Sequence, residues 1–191
     1  YCDIFRMNKP KPPGALEAAA SLDKGLDNLI IFNSLSKRSN ASGMRAGFIA
    51  GDKKIIASYK LLVSNGASPV PIPIQKVAAY LYDDEEHHTN ACIHYDQNFS
   101  IVEKYLKPFY KDLKLPDAGF FLWLKVKDDQ QAAKILWNKF SLRVMPGSFM
   151  GKDVNGVNPG NGFLRISLVD NKDVIEETMK RIQLFLQSEI S

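Results

Sequence analysis

Short runs of strand character recur between segments of helical spacing, and this alternation restricts the chain to a mixed α/β fold. Residues 163–169, Phe-Leu-Arg-Ile-Ser-Leu-Val, alternate as a strand does, with Leu164, Ile166 and Leu168 on one face and Arg165 on the other. Residues 118–126 are rich in aromatic and aliphatic side chains and predict a second strand. Residues 29–32 form a continuous apolar run, too short for an independent helix, that predicts a buried strand. Shorter strands are expected at 46–50 and 142–145, the latter ending in a turn at Pro146-Gly147. Helical spacing marks residues 15–22, 74–82, 128–140 and 172–187, and a longer stretch at 85–113 with a bend expected at Pro108. Asp52 is placed to cap a helix reaching about residue 63. Residues 64–73 hold one glycine and three prolines, which predicts an extended loop and a domain hinge. The proline-rich stretch at 9–14 reads as exposed loop, and there is no internal repeat.

Bulk composition narrows the class of function. A chain of 191 residues with 45% hydrophobic and 24% charged residues can bury a full core. Its net charge of +4 is small and nowhere concentrated, which argues against a nucleic-acid surface. Only two cysteines occur, Cys2 and Cys92, and a chain of this size needs no staple, so a reducing cytoplasmic setting is expected. No apolar run approaches the roughly 18 residues of a membrane span, and no basic, apolar leader is expected.

The chemistry concentrates in Asn33-Ser34-Leu35-Ser36-Lys37-Arg38-Ser39-Asn40, continued by Gly43-Met44-Arg45-Ala46-Gly47-Phe48. A lone lysine in a loop is ordinarily solvated. Here hydroxyls stand three and one residues before Lys37, an arginine follows eight residues on, and Gly43 and Gly47 let backbone approach a ligand. An amine of this kind can condense with an aldehyde, while Ser34, Ser36 and Arg45 can hold a phosphate through charge-assisted hydrogen bonds. The simpler reading of the serines is as turn formers after a strand. Arg165 stands among apolar neighbours, where an unpaired charge is costly, and its simplest reading is an edge-strand ion pair. His88 and Cys92 lie four apart on a predicted helix, but too few further ligands accompany them, so no metal site is expected.

The run from 33 to 51 resembles the lysine motif of the fold-type I aminotransferases that use pyridoxal 5'-phosphate (PLP), most closely the succinyldiaminopimelate aminotransferase branch. The resemblance implies that residues 1–63 end a large cofactor-binding domain, 64–73 form a hinge or interface loop, and 74–191 form a complete small α/β domain. It implies that Lys37 binds PLP as a Schiff base and later moves a proton on the substrate. It assigns Ser34, Ser36 and Arg45 to the phosphate, the Tyr1 hydroxyl to the cofactor's phenolic oxygen, and Arg165 to the substrate α-carboxylate. Residues 144–151 match a loop that closes over substrate, with Phe149 as a contact or as packing, and Ser68 is expected to reach a neighbouring subunit's cofactor. The partners implied are amino acid and 2-oxo acid substrates and a second copy in a homodimer, with neither nucleic acid nor membrane.

The resemblance runs end to end but covers about the second half of a family member. The aspartate that pairs with the pyridine nitrogen is expected three residues before Tyr1, outside this chain. A C-terminal fragment, inactive alone, is therefore expected. The function implied for the parent is transfer of glutamate's amino group to N-succinyl-2-amino-6-oxopimelate in lysine and diaminopimelate biosynthesis. A broader transaminase, a PLP carbon–sulfur lyase and a non-catalytic dimerisation or binding domain are the alternatives.

Overall fold

A computed structural model of the chain describes residues 3–22 and 25–190. The chain is mixed α/β, as the alternation predicts, and it divides into two packed units, Tyr1–Ile93 and His94–Ser191. This division falls inside a helix, whereas the expected hinge at 64–73 lies within the first unit.

In the first unit, helix α1 (Ala15–Ser21) precedes two antiparallel strands, β1 (Ile30–Ser34) and β2 (Gly47–Gly51), with Ser34 opposite Gly47 and Ile30 opposite Gly51. The strand begins one residue later than expected and is half-buried rather than buried, because Phe32 points outward and is 70% exposed. Between the strands lies a single helical turn, α2 (Leu35–Arg38), so Lys37 sits on a turn of helix and not in an open loop. Helix α3 (Lys53–Gly66) starts at Asp52, whose carboxylate accepts from the amides of Lys54 at 2.7 Å and Ile55 at 3.3 Å. Hydrogen bonds from the Asn28 and Lys54 amides hold that carboxyl below the usual range.

Helix α4 (Ile72–Asp83) starts earlier than its apolar spacing indicates, with Pro73 in the first turn, where a missing amide hydrogen costs nothing. The loop expected over 64–73 thus shortens to residues 67–71. Leu35, Ala46 and Ala78 form a small buried cluster, against which Met44, Val70, Ile74 and Leu81 pack. That cluster fixes α2 against α4 by burying Leu35 completely.

Helix α5 (Glu86–Leu106) ends before Pro108 instead of bending through it, because a proline inside the helix would clash with the preceding turn. In the second unit, β3 (Phe121–Lys125), β4 (Met145–Pro146) and β5 (Phe163–Ser167) form an antiparallel sheet in the order β3-β5-β4. Helices α6 (Asp129–Phe140) and α7 (Lys172–Ile190) complete the unit. The strand expected at 142–145 is reduced to two residues; Pro146 belongs to it, and a 3₁₀ turn follows at Gly147–Phe149. The even-numbered face of the sheet, Leu122, Leu124, Leu164 and Ile166, packs with Phe99, Leu106, Leu136, Met179 and Phe185 into the main core. The odd-numbered face presents Trp123 at 45% exposure and carries Arg165.

Candidate active site

The turn that holds Lys37 is built by its neighbours. Ser34 caps α2 by accepting from the Ser36 amide at 3.2 Å, which leaves its hydroxyl hydrogen available to donate. Ser36 is half-buried, and among the described residues its hydroxyl makes no hydrogen bond. The Leu35 amide donates to the Ala46 carbonyl at 3.2 Å, so the chain carrying Arg45 runs beside Ser34 and Leu35. Arg45 is exposed and adopts φ 51° in the left-handed region, a conformation uncommon outside glycine, and one guanidinium nitrogen donates to the Ser42 carbonyl at 3.1 Å. Its other N–H groups are directed by a planar fork suited to an oxyanion.

Gly47 is required by the close approach of the strands: a Cβ there would lie 2.3 Å from the Asn33 carbonyl oxygen. Ser34 ends β1, Ser36 and Lys37 stand on the helical turn that follows, and the segment carrying Arg45 is joined to it by the Leu35–Ala46 hydrogen bond. This donor set fits a phosphorylated aldehyde, with Lys37 half-buried on the same turn.

Arg38 is the residue whose role the spacing conceals. Its side chain is buried, and its guanidinium donates to the carbonyls of Leu81 at 2.8 Å and Tyr82 at 3.3 Å, closing the C-terminus of α4. It also pairs with Glu85 at 2.6 Å and lies 5.7 Å from the Tyr82 ring centroid. Lys37 thus stands on a turn clamped on one side by Leu35 and on the other by Arg38. Tyr82 donates to Asn33 at 3.3 Å, and Asn33 donates to Asp3 at 2.7 Å, tying β1 to the preceding segment.

Arg165 lies in the central strand, opposite Trp123 of β3 and Met145 of β4, which rules out the edge position considered from sequence. Among the described residues no carboxylate pairs with it; its guanidinium stacks 4.6 Å from the centroid of the Phe121 ring. The loop beside it is held by Asp129, which accepts from the Ser148 amide at 2.9 Å and the Gly162 amide at 3.2 Å. Burial opposes the Asp129 charge, but the hydrogen bonds from Ser148 and Gly162 outweigh it and keep the carboxyl below its ordinary range. Asn158 donates to the Ser148 carbonyl at 3.0 Å and accepts from the Gly160 amide at 2.9 Å. Phe149 is 68% exposed on this pinned loop, and Ser68 is exposed between α3 and α4.

Asp129 and Asn158 escaped the sequence reading because their partners lie at distant or irregular positions that no spacing rule marks. Tyr1 lies outside the described residues. His88 and Cys92 both meet the Asp3 carbonyl, Cys92 at 3.4 Å, and burial pushes the Cys92 thiol up. Among the described residues no cluster of metal-ligating side chains occurs, and no helix is long and apolar enough to cross a membrane.

The sequence model described as "Aminotransferase class I and II" matches residues 7–182. The chain is 30% identical over 174 residues to LL-diaminopimelate aminotransferase of Natranaerobius thermophilus, covering 89% of this chain and 41% of that protein. It is 27% identical to the (5-formylfuran-3-yl)methyl phosphate transaminase of Methanocaldococcus jannaschii, covering 91% and 46%. Among solved structures, an aminotransferase from Neisseria meningitidis superposes with a TM-score of 0.89 at 37% identity, over 97% of this chain and 47% of that one. The chain spans less than half the length of each of these relatives. The match over most of the chain, together with the lysine turn and its donor set, establishes that it belongs to the PLP-dependent aminotransferase class I and II family.

Proposed function

We propose that this chain carries the lysine-bearing half of a transaminase that moves an amino group between an amino acid and a 2-oxo acid. The observation that carries the reading is the Ser34–Lys37 turn, where an amine and two hydroxyl donors lie beside the backbone of Arg45. PLP, when bound, supplies an aldehyde that condenses with amines and a ring that withdraws electrons from the substrate α-carbon. Lys37 Nζ would hold the cofactor through its aldehyde carbon and would move a proton at the substrate α-carbon. Ser34, Ser36 and Arg45 hold the phosphate. Arg165 grips the substrate α-carboxylate in its planar fork, which fixes the Cα–H bond for proton removal.

The finer reading is transfer of glutamate's amino group to N-succinyl-2-amino-6-oxopimelate, in lysine and diaminopimelate biosynthesis. Its support is the run Lys37-Arg38-Ser39-Asn40 and the diaminopimelate aminotransferases among the relatives. A transaminase of broader specificity is the second reading, favoured by the formylfuran phosphate transaminase among the same relatives. The chain by itself is proposed not to turn over substrate. The working assembly is proposed to be a cytoplasmic homodimer with Ser68 reaching the neighbouring subunit. The domain proposal keeps 1–63 with the cofactor-binding domain, 64–73 as its connection and 74–191 as the small domain.

Incubation with PLP, reduction with borohydride and peptide mapping test the central assignment. The expected result is a phosphopyridoxyl label on Lys37 that disappears in Lys37→Ala. An unchanged label in that variant overturns it. Turnover by the full-length parent with glutamate and the succinylated keto acid tests the finer reading, and its absence alongside turnover of other 2-oxo acids favours the broader one.

A further inference from the structure

His88 and Cys92 stand outside the lysine turn, yet both are buried in the same unit and both reach one atom. The Asp3 carbonyl oxygen accepts from His88 Nε2 and from Cys92 Sγ, the latter at 3.4 Å. The other ring nitrogen, His88 Nδ1, lies 3.4 Å from Glu85 Oε2. A carbonyl and a carboxylate only accept, so the ring satisfies both neighbours when each of its nitrogens carries a proton.

Each arm of the ring leads to the lysine turn. The Asp3 carboxylate accepts from Asn33 at 2.7 Å, and Asn33 immediately precedes Ser34, the cap of α2. Glu85 turns its second oxygen to Arg38 at 2.6 Å, and Arg38 is the last residue of α2. His88 therefore joins the residue that leads into the turn with the residue that ends it, and Lys37 stands between them. The charged and titratable groups around the ring come from several elements. Glu85 and Cys92 flank it, Asp3 comes from the N-terminal segment, Arg38 from α2, and Lys11 acts with Arg38 on the Cys92 thiol. His87, beside it in sequence, pairs with Asp84 at 3.0 Å.

We infer that His88 is a positioning residue of the lysine site: its ring bridges Asp3 and Glu85 and so holds Asn33 and Arg38, the two ends of the turn, in register. The inference rests on Lys37 being the amine that takes the cofactor aldehyde, as proposed above, and adds what fixes its place. As pH rises the ring gives up its second proton and the Glu85 arm is released, while the Asp3 arm stays. The turn is then held at one end only.

The test is borohydride labelling of the 191-residue chain with PLP, read by peptide mapping as the ratio of label on Lys37 to label on Lys152, an exposed lysine of the second unit. The ratio cancels the pH dependence of amine reactivity that the two lysines share. His88→Leu is expected to lower it about fivefold, the worth of one hydrogen bond. Glu85→Gln, at an exposed side chain outside the core, is expected to lower it about twofold. His88→Gln keeps a donor for the Asp3 carbonyl and recovers part of the loss. Between about pH 5 and about pH 8, where histidines change charge, the ratio is expected to fall in the parent chain and stay level in His88→Gln. A ratio that none of these variants moves, with Lys37 labelled in the parent, overturns the positioning role and leaves the cofactor lysine standing. The same pH profile in the parent and His88→Gln, or a loss in His88→Leu without one in Glu85→Gln, makes His88 a packing residue and overturns the bridge. No label on Lys37 in the parent overturns the cofactor lysine and the positioning role together.

Discussion

At the residue scale, the turn that carries Lys37 depends on side chains elsewhere in the first unit. Arg38 is buried and satisfies the last carbonyls of α4, so Arg38→Met leaves Leu81 and Tyr82 unpaired beneath the lysine turn. Urea unfolding is expected to show a loss of about 2–3 kcal/mol, with Arg38→Lys recovering only part of it. Asp129 plays the matching role beside Arg165. Its carboxyl is held below its unfolded value, so the stability it contributes is present above the unfolded pKa of about 3.9 and is lost as pH falls through the lower folded value. Unfolding midpoints measured through the acid range are expected to fall less steeply for Asp129→Asn than for the parent chain. A parallel fall in both rules Asp129 out as a source of the acid sensitivity.

Elements set where those residues stand. The β1–β2 pair is tight enough that Gly47 has no room for a Cβ, whereas nothing lies within 4 Å of one at Gly43. Gly47→Ala is therefore expected to cost about 2 kcal/mol or more and to reduce borohydride labelling of Lys37, while Gly43→Ala stays within about 1 kcal/mol of the parent. Comparable losses in the two variants would show that the strand approach is not what holds the site. At α6, Asp128 accepts from the Gln131 amide at 2.9 Å, and Asp128→Ala is expected to lower stability by about 1 kcal/mol in the same unfolding assay. The helices were legible because their apolar spacing and caps are local: Asp52 and Asp128 mark the starts of α3 and α6 in sequence and in structure. The strand at 142–145 was overread, since its hydrophobic residues pack against the core without a full ladder of partners, and only Met145 and Pro146 pair.

For the whole molecule, the two units differ in how much core they own. The second buries a continuous cluster from Phe99 to Leu186, and Leu164→Ala at its centre is expected to cost about 2–5 kcal/mol by denaturant unfolding. The first has a buried cluster of Leu35, Ala46 and Ala78, and α3 buries none of its residues. Leu61 and Leu62 are 67% and 69% exposed on that helix. Apolar exposure on this scale favours association, so Leu61→Glu/Leu62→Glu is expected to shift sedimentation toward monomer if α3 contributes to the proposed homodimer. The sequence by itself determined the α/β class, most helix positions, the odd and even faces of β5, and the lysine motif though not its helical turn, because periodicity, capping and a dense motif are written in adjacent residues. Only the tertiary structure decided that Arg38 is a buried clamp, that Arg165 sits mid-sheet with no carboxylate paired to it among the described residues, and that Asp129 pins the neighbouring loop. Those roles depend on partners tens of residues away, and pairing across such separations is fixed by packing rather than by any local pattern.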